Sequence, residues 1–301
     1  MAQRKKKVDA PARRLRLGLP KGSLQATTEK LFTLAGFDLR IRERSYYPDI
    51  DDPDIECVLI RAQEMARYVQ QGVLDAGITG IDWTLENRAR VKEVSDLRAP
   101  WPNYNPVRWV VAVKDDSKIR RPADLAGKRI ATEVVNLTKQ YLRKHGVSAL
   151  VEFSWGATEV KPPLLADAIV DVTETGSSLR ANNLRVIDTV LESTPRFIAN
   201  RESYADPRLR AVIERIALLL RGAITAADRV GLMMNVPRAQ LQAVVDVLPA
   251  LGTPTVSTLT DERWVAVNTV IQERLVKELL PRLREAGARG IVEYPLSKII
   301  E

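Results

Sequence analysis

The chain has 301 residues, of which 45% are hydrophobic and 28% are charged, an ordinary composition for a protein of two or three small domains. The net charge of +8 is misleading, because residues 1–16 hold seven basic residues and one acidic residue. The rest of the chain is close to neutral, which argues against a nucleic-acid-binding surface. Residues 1–13 have neither interleaved aromatics nor the apolar segment of a signal peptide, so we predict a disordered basic tail.

The chain has one cysteine, Cys57, and one histidine, His145. A single cysteine excludes an internal disulfide and fits a reducing, cytoplasmic location. One cysteine and one histidine also argue strongly against a zinc site and against a Cys/His or Ser/His hydrolase. No run of about 18 apolar residues occurs, so we expect no membrane span.

Short apolar runs alternate with amphipathic segments over the first two thirds of the chain. Strands are predicted at residues 15–19, 56–61, 75–79, 107–114, 128–132, 151–153, 168–172, 184–190 and 196–199. Helices are predicted after Ser23, at residues 63–71, 81–87 and 136–145, and from Asp206, which precedes a proline. Strands alternating with helices on both sides of a proline-rich linker at 100–106 predict two doubly wound α/β lobes that face a cleft.

Two of these strands run into glycine turns of the kind that bind phosphate. The residues concerned are Lys21, Gly22, Ser23, Gly77, Thr79 and Gly80. Backbone N–H groups at such a turn suit phosphate oxygens, although a plain β–α turn explains the same residues. Arg61, at the end of its own strand, is a candidate contact for phosphate or adenine, although surface arginines are common. The aspartate-rich stretch at 47–54 is predicted to be a solvated loop rather than a metal site.

The stretch at 166–180 carries the strongest chemical signal. An apolar run at 168–172 predicts a buried strand, with Asp171 at its carboxyl end. The loop that follows consists of Thr173, Glu174, Thr175, Gly176, Ser177 and Ser178, and it ends at the apolar Leu179. Its hydroxyl and N–H groups suit phosphate oxygens, and Asp171 could take ribose hydroxyls or a metal ion that phosphates bring. On composition alone, a tight turn with a helix N-cap explains these residues equally well.

From Arg229 onward the pattern changes to a separate module. Strands are predicted at 230–236, 254–259, 264–270 and 289–294, with helices at 237–248 and 271–286. The order β-α-β-β-α-β is the ferredoxin-like split motif, which is a complete small domain of its own. We therefore place a third domain at residues 228–301.

Several of these stretches resemble the ATP phosphoribosyltransferase family, which catalyses the first step of histidine biosynthesis. DVTETGSSL at 171–179 resembles the family's phosphoribosyl-pyrophosphate loop. Four further stretches follow in the family's order: LPKGSL at 19–24, DAGITG at 75–80, GKRIATE at 127–133 and NLTK at 136–139. The resemblance extends from about residue 14 to the end of the chain, so it does not depend on one motif.

The resemblance implies a fold and a reaction. The fold is a catalytic part of two lobes, like a type II periplasmic binding protein, followed by a ferredoxin-like (ACT-like) domain. Lobe I would comprise residues 14–105 and 195–222, and lobe II residues 106–194. The reaction condenses ATP with 5-phosphoribosyl 1-pyrophosphate to give N1-(5-phosphoribosyl)-ATP and pyrophosphate.

The resemblance also assigns the site residues. Asp171 and Lys21 would be catalytic, and the phosphoribosyl-pyrophosphate loop would use Asp171, Thr173, Glu174, Thr175, Gly176, Ser177, Ser178 and Leu179. The ATP side of the cleft would use Lys21, Gly22, Ser23, Arg61, Gly77, Thr79, Gly80 and Glu159. Magnesium (Mg²⁺) is expected through the substrate's phosphates, with Asp171 as a candidate ligand. The residue that assists deprotonation of the adenine amino group, if any, is left open.

The long form of the family binds histidine in its last domain and assembles as a hexamer that exchanges with dimers. Carried over by position, the histidine pocket would include Asn235, Leu251, Thr255, Val270 and Gly290. Asn235 stands where some relatives have an acidic residue, which predicts weaker inhibition. An assembly surface alone would explain the module equally well. No nucleic-acid or membrane partner is expected.

Two departures from the family pattern affect the local pocket. The segment before Ala166 is one residue shorter than in many relatives, and TEVVN at 132–136 replaces a common TEYPN.

Two alternative functions would also explain part of these sequence features: a two-lobed small-molecule sensor without catalysis, and a phosphoribosyltransferase for another base. Asp171 with its hydroxyl-rich loop argues against the sensor. The absence of paired acids before the loop argues against the common nucleotide-salvage type.

Overall fold

The computed structural model describes residues 13–42, 44–98, 106–249 and 253–300. The main division of the chain into two compact units falls between Ala217 and Leu218. Within the described residues, the first unit contains two five-stranded sheets and one two-stranded sheet, and the second contains a four-stranded sheet. A search of the same residues finds no helix that combines the length and the apolarity needed to cross a membrane.

The first unit begins with β1 and ends within a long helix. Its strands are β1 (Leu15–Lys21), β2 (Leu39–Arg40), β3 (Asp49–Ile50), β4 (Ile55–Arg61), β5 (Ala76–Gly80), β6 (Lys92–Asp96), β7 (Val107–Lys114), β8 (Arg129–Thr132), β9 (Leu150–Phe153), β10 (Ala168–Thr173), β11 (Leu184–Ser193) and β12 (Pro195–Ala199). The helices are α1 (Gln25–Ala35), α2 (Ala62–Gln70), α3 (Ile81–Glu86), α4 (Val135–Lys144), α5 (Ser177–Ala181), α6 (Arg201–Ala205) and α7 (Pro207–Ala226).

The first sheet has the strand order β4-β1-β5-β12-β6. β4, β1 and β5 run parallel, and β12 is antiparallel to both its neighbours. Helix α2 packs closely on this sheet at two glycines. A Cβ at Gly18 would lie 2.3 Å from the Met65 Sδ, and one at Gly77 would lie 2.6 Å from it, so neither position accepts a side chain without movement of Met65. The three parallel strands therefore end along one edge, where Lys21, Arg61 and Gly80 lie.

The second sheet has the strand order β11-β7-β10-β8-β9. β10 runs parallel to β8 and antiparallel to β7, and β9 lies at the edge, parallel to β8. Its core includes Trp109, Val111, Ile130 and Val170, all at most 1% exposed. The parallel pairing places the end of β8 beside the loop that follows β10, which assembles the site described below.

The second unit is an antiparallel sheet with two helices. Its elements are β13 (Arg229–Pro237), α8 (Leu241–Val247), β14 (Thr255–Thr258), β15 (Trp264–Gln272), α9 (Val276–Glu285) and β16 (Arg289–Pro295). The strand order β14-β15-β13-β16, all antiparallel, is that of a ferredoxin-like domain. The predicted fold class, two α/β lobes followed by a ferredoxin-like domain, is confirmed.

The structure corrects several predicted boundaries. Asp171 lies inside β10 rather than at its end, because the antiparallel partner β7 continues the pairing as far as Thr173. Pro20 lies within β1 and does not break it. Ile271 is a strand residue paired with Val230, so the last helix begins later than predicted, at Val276. Strand β6 and helix α6 are not predicted from the sequence.

The aspartate-rich loop is less solvated than its composition predicts. Asp52 exposes only 13% of its side chain, and its Oδ2 lies 2.6 Å from Nη2 of Arg215 on α7. Arg215 also approaches Asp54, at 3.8 Å. Ion pairing with α7 therefore partners Asp52 and Asp54.

Candidate active site

A short loop at residues 173–178, here called the hydroxyl loop, joins β10 to α5. Its turn is held by its own polar groups: the Gly176 N–H donates to Thr173 Oγ1 at 2.8 Å, and the Ser177 N–H to Thr175 Oγ1 at 3.4 Å. Gly176 has φ of +75°, a conformation that favours glycine. Leu179 anchors the start of α5 in the core, so the exposed side chains of Thr175, Ser177 and Ser178 stay at the surface.

Arginine side chains supply positive charge beside the hydroxyl loop. Arg180 Nη1 donates to the Thr175 carbonyl oxygen at 3.0 Å, and a Cβ added at Gly176 would lie 2.9 Å from that nitrogen. A cavity of about 330 Å³ adjoins the loop and is lined in part by Arg108, Arg180 and Arg185. The loop therefore combines hydroxyl donors with nearby cations, which is the chemistry of an anion site.

Asp171 faces the loop as a half-buried carboxyl group. Burial is the main cause that raises its pKa to about 6, and the neighbouring carboxylates of Glu159 and Glu133 raise it further. The Val172 N–H opposes this shift by donating to Asp171 Oδ1 at 2.8 Å. Glu159 accepts a hydrogen bond from the Ser178 hydroxyl. The structure thus brings Asp171 and the hydroxyl loop together, and it places Glu159, which the resemblance assigns to the ATP side of the cleft, beside the same loop.

The end of β8 lies beside Asp171. Val170 pairs with Thr132, so Asp171 and Glu133 each come one residue beyond the last parallel pair. Glu133 is half-buried, and burial raises its pKa while the guanidinium of Arg61 opposes the shift. Arg61 belongs to the first sheet and Glu133 to the second, so their interaction spans the two sheets of this unit.

A second charged edge lies at the ends of β1 and β4. Lys21 pairs in register with Arg61, and both side chains are exposed. The Lys21 ammonium lies 3.9 Å from the centre of the Tyr46 ring. Gly22, with φ of +106°, and Ser23 follow Lys21 as an exposed turn before α1. Two cations and an open turn at one strand edge form a second candidate anion site.

Gly77, Thr79 and Gly80 are buried and serve packing in this structure. The Thr79 hydroxyl donates to the Ala62 carbonyl oxygen at 2.7 Å, which engages it within the protein. A Cβ at Gly80 would lie 2.0 Å from Asp82 Oδ1, so no larger residue fits there. Their assignment to the cleft stays a prediction.

Two acidic residues of α3 that the sequence analysis missed connect the two sheets. Asp82 is buried, and its Oδ2 accepts a hydrogen bond from Trp109 Nε1 at 2.7 Å. The Glu86 carboxylate accepts from the backbone N–H groups of Asn136 and Leu137, at 3.1 and 2.9 Å. These contacts, here called the latch, join residues 27 to 51 positions apart, a separation that leaves no local signal in the sequence.

In the second unit, the predicted histidine-pocket residues lie on the sheet face opposite the core. Strand pairing places Asn235 beside Ala266 and Thr255 beside Asn268, and it places Val270 beside Gly231. A Cβ at Gly290 would lie 3.9 Å from Asn235 Nδ2, so these two residues are close. Leu251 lies outside the described residues.

The described residues contain no group of three or more His, Cys, Asp or Glu side chains that could hold a metal ion. Beside the hydroxyl loop, the half-buried Asp171 offers carboxylate oxygens, the donor type that Mg²⁺ prefers.

Comparison with known proteins identifies the family. The family model for ATP phosphoribosyltransferase matches residues 61–222, and that for the HisG C-terminal domain matches residues 226–298. The ATP phosphoribosyltransferase of Solibacter usitatus (strain Ellin6076) is 59% identical over 286 residues, which cover 95% of this chain and 99% of that protein. That of Chlorobaculum parvum (strain DSM 263 / NCIMB 8327) is 56% identical and covers 95% and 98%.

A solved structure agrees with these matches. The ATP phosphoribosyl transferase (HisG:HisZ) complex from Thermotoga maritima superposes with a TM-score of 0.58 at 29% identity, over 68% of this chain and 98% of that chain. The family models and the relatives together span nearly the whole sequence. The chain therefore belongs to the ATP phosphoribosyltransferase family, the phosphoribosyltransferases of histidine biosynthesis.

Proposed function

We propose that the chain transfers the phosphoribosyl group of 5-phosphoribosyl 1-pyrophosphate to N1 of the adenine of ATP and releases pyrophosphate. The observation that carries this proposal is the hydroxyl loop, which presents Thr175, Ser177 and Ser178 beside the half-buried Asp171. An adenine ring nitrogen is already a competent nucleophile, so the reaction needs no nucleophilic triad. It needs two substrates held with C1′ against N1 and a site that tolerates developing charge.

The hydroxyl loop would hold the 5-phosphate. Its exposed hydroxyls, which bond within the loop or to Glu159 in this structure, can donate to phosphate oxygens instead, and Arg180 adds a cation that already fixes the turn. The Ser178 hydroxyl is bonded to Glu159 in this structure, so phosphate would compete with that carboxylate for it. Glu159 would then turn toward the rest of the cleft.

Asp171 would orient the ribose and stabilise the positive charge that develops at C1′. With a pKa of about 6, its carboxyl group is ionised at neutral pH. A carboxylate that accepts ribose hydroxyls also places negative charge beside an oxocarbenium-like centre, where it lowers the barrier to C1′–O cleavage. This role would make Asp171 both a binding and a catalytic residue.

Lys21 and Arg61 would receive the triphosphate of ATP or the departing pyrophosphate. They are neighbours in register at the ends of two parallel strands, and both are exposed. The turn formed by Gly22 and Ser23 offers further N–H groups at the same edge. Mg²⁺, bound by the substrate's phosphates and Asp171, would neutralise part of the pyrophosphate charge.

Release of pyrophosphate tests the reaction directly. The purified protein is mixed with phosphoribosyl pyrophosphate and each nucleoside triphosphate in turn, and we expect release with ATP. Thr175→Val and Asp171→Asn should lower kcat/KM by about two orders of magnitude, as loss of a transition-state contact does. Thr33→Val, whose hydroxyl bonds only within α1, is the matched control. No release with ATP from the folded protein would refute the proposal.

The second unit would carry regulation by histidine. Asn235, Thr255, Val270 and Gly290 lie on the sheet face opposite the core that α8 and α9 cover, and Asn235 and Gly290 are close together. A small effector bound there, between copies of this domain in a hexamer that exchanges with dimers, would act on the catalytic unit through the assembly. The family resemblance, together with this placement, supports the proposal.

A further inference from the structure

Trp155 is an unusually exposed aromatic side chain next to the candidate active site. It exposes 91% of its surface, and the ring of the half-exposed Phe153 meets it edge-on at a centroid distance of 4.8 Å. Large exposed aromatic surfaces in folded proteins commonly mark a place where something binds. Nothing in the reaction steps derived above uses this indole.

The backbone places Trp155 beside Glu133. Ser154 donates its N–H to the Thr132 carbonyl oxygen at 2.9 Å, so the chain leaving β9 runs alongside the end of β8. At the next glycine, Gly156, an added Cβ would lie 3.9 Å from Glu133 Oε1. The carboxylate therefore lies against a stretch of bare backbone, directly after the exposed indole.

Glu133 has an unused hydrogen-bonding capacity. It is half-buried, and none of the hydrogen bonds found within the described ranges involves its carboxylate. Burial and the nearby Arg61 act on its pKa in opposite directions, and burial prevails. None of the buried polar atoms that lack a partner in the described residues belongs to Glu133, so its carboxylate reaches solvent and the N–H group of a ligand can replace water there.

These three features together select a planar ring with an amino donor at its edge. An indole offers a stacking surface to any base, and the Glu133 carboxylate lies next to the backbone that follows this indole. The carboxylate adds discrimination, because it accepts from an exocyclic amino group and is repelled by a carbonyl oxygen in the same place. Asp171, which lies within the neighbouring strand β10, is already assigned to the ribose of the other substrate.

We infer that Trp155 and Glu133 recognise the adenine of ATP, with the ring stacked on the indole and the 6-amino group donating to the carboxylate. The inference rests on the proposed function and extends it by naming the residues that distinguish adenine from 6-oxo purines. Glu133 and Asp171 come one residue beyond the same strand pair, so this placement brings the base next to the ribose. In adenine N1 adjoins the 6-amino group, so a base held by this amino group would have its nucleophilic atom near Glu133.

Kinetics with two substrates and one analogue test this assignment. Trp155→Ala should raise KM for ATP by about 5- to 100-fold, the range expected for loss of one stacking contact. Trp155→Phe, which keeps an aromatic face, should change it by less than about threefold. KM for phosphoribosyl pyrophosphate should stay unchanged in both variants.

The Glu133 assignment is tested by specificity. Inosine triphosphate carries a 6-oxo group, and it is used as an inhibitor competing with ATP. Glu133→Gln replaces an acceptor by a side chain that can also donate, so the ratio of the inosine triphosphate Ki to the ATP KM should fall at least tenfold, a loss typical of one good polar contact. Glu152→Gln, an exposed acid on β9 near Arg129, is the matched control and should leave the ratio unchanged.

The outcomes are distinguishable. If the wild-type protein releases no pyrophosphate with ATP, the proposed function fails before the variants are compared. If it does, and the ATP KM of Trp155→Ala or the specificity ratio of Glu133→Gln equals the wild-type value, the assignment is wrong. It is also wrong if Trp155→Ala shifts the sedimentation coefficient while its ATP KM is unchanged, since the indole would then be a contact between protein chains.

Discussion

At the scale of single residues, the surroundings of Asp171 disfavour the ionised form of its carboxyl group. Asp171 is half-buried and faces the carboxylates of Glu159 and Glu133, and these effects raise its pKa from 3.8 to about 6. A catalytic group held in such a place costs folding free energy, because the ionised form is less stable in the folded state than in the unfolded chain. The same ionised form is the one that can stabilise positive charge on a ribose.

This free-energy cost of the ionised Asp171 predicts that a neutral replacement makes the fold more stable and the protein inactive. Because the folded pKa lies above the unfolded one, the Asp171 contribution to stability is greatest below pH 4 and is lost as the pH rises through 6. At pH 8, Asp171→Asn should therefore raise the free energy of unfolding, by at most about 3 kcal/mol. Denaturant titrations without substrate or metal at pH 8 and pH 4 measure this.

The pH dependence distinguishes this effect from general improvement of packing. The gain of Asp171→Asn should vanish at pH 4, where the wild-type carboxyl group is also neutral in the fold. Asp116→Asn, which changes an exposed acid of the same unit, should show no gain at either pH. An equal gain for Asp171→Asn at both pH values would contradict the electrostatic explanation.

Gly176 in the hydroxyl loop can be compared with Gly127, a glycine of similar backbone conformation outside the loop. Gly176 and Gly127 have φ of +75° and +71°, so alanine at either position costs about 1 kcal/mol of backbone strain. Only at Gly176 would the new methyl group meet a neighbour, the Arg180 guanidinium at 2.9 Å, whereas nothing lies within 4 Å at Gly127. We expect Gly176→Ala to raise KM for phosphoribosyl pyrophosphate about tenfold or more, and Gly127→Ala to leave it unchanged. Equal KM values would show that the loop does not hold that substrate.

At the scale of elements, helix α4 depends on another helix for its N-terminal cap. Val134, which precedes α4, has no side-chain hydrogen bond to the first turn, so Glu86 of α3 satisfies N–H groups that would otherwise lack partners. Asn136 Nδ2 returns a hydrogen bond to the Glu86 carbonyl oxygen at 2.9 Å. The latch is therefore a cap shared between the two sheets of the first unit.

Removal of this cap should lower the free energy of unfolding by as much as removal of an ordinary side-chain N-cap does. Glu86→Ala should lower the free energy of unfolding by about 1–2 kcal/mol, and Glu86→Gln by less, because its amide oxygen still accepts one N–H. Glu64→Ala, which breaks an exposed pair with Arg67 on α2, should cost at most about 0.5 kcal/mol. A loss for Glu86→Ala no larger than that of Glu64→Ala would show that the latch is not a stabilising contact.

At the scale of the whole molecule, the ferredoxin-like unit supplies none of the residues assigned to the substrates. Its helix-packed face forms a core of its own, built on Leu232, Met234, Val265 and Leu283. The opposite face carries Asn235, whose side chain is exposed among the described residues. Such a unit is suited to assembly and to effector binding rather than to chemistry.

Histidine should therefore inhibit without competing for the substrate cleft. We expect inhibition that is non-competitive with phosphoribosyl pyrophosphate, since an effector bound at a separate site can lower the rate while the substrate stays bound. Asn235→Asp should strengthen histidine binding about tenfold, because a carboxylate accepts from the histidine amino group better than an amide does. Gln242→Glu adds the same charge on α8 and should change nothing. Calorimetric titration that detects no binding to the wild-type protein would refute the regulatory role.

The sequence predicts most of the architecture because apolar periodicity is a local signal. It predicts β7 at its observed bounds, and the hydroxyl loop with Asp171, from neighbouring residues alone. It misses β6, whose Lys92 and Glu93 are exposed, because an edge strand needs little apolar surface. The start of α9 is misplaced because the apolar alternation of β15 continues to Ile271.

The parts of the site that depend on distant contacts could not be predicted. Glu86 meets Asn136 across 50 residues, and Trp155 comes beside Glu133 only because β9 pairs with β8. Each of these residues is unremarkable in its local sequence. The assignment of domain boundaries and of individual substrate contacts stays a prediction, whereas the family and the fold class are confirmed.

The shared cap of α4 makes the first turn of this helix a reporter of movement between the two sheets. Any motion that separates α3 from α4 must free the amide protons of Asn136 and Leu137 to exchange with solvent deuterium. Their exchange rates in the free protein would then measure how often the cleft opens. Substrates that close the cleft should slow exchange at these two amides more than at His145, whose N–H bonds within α4.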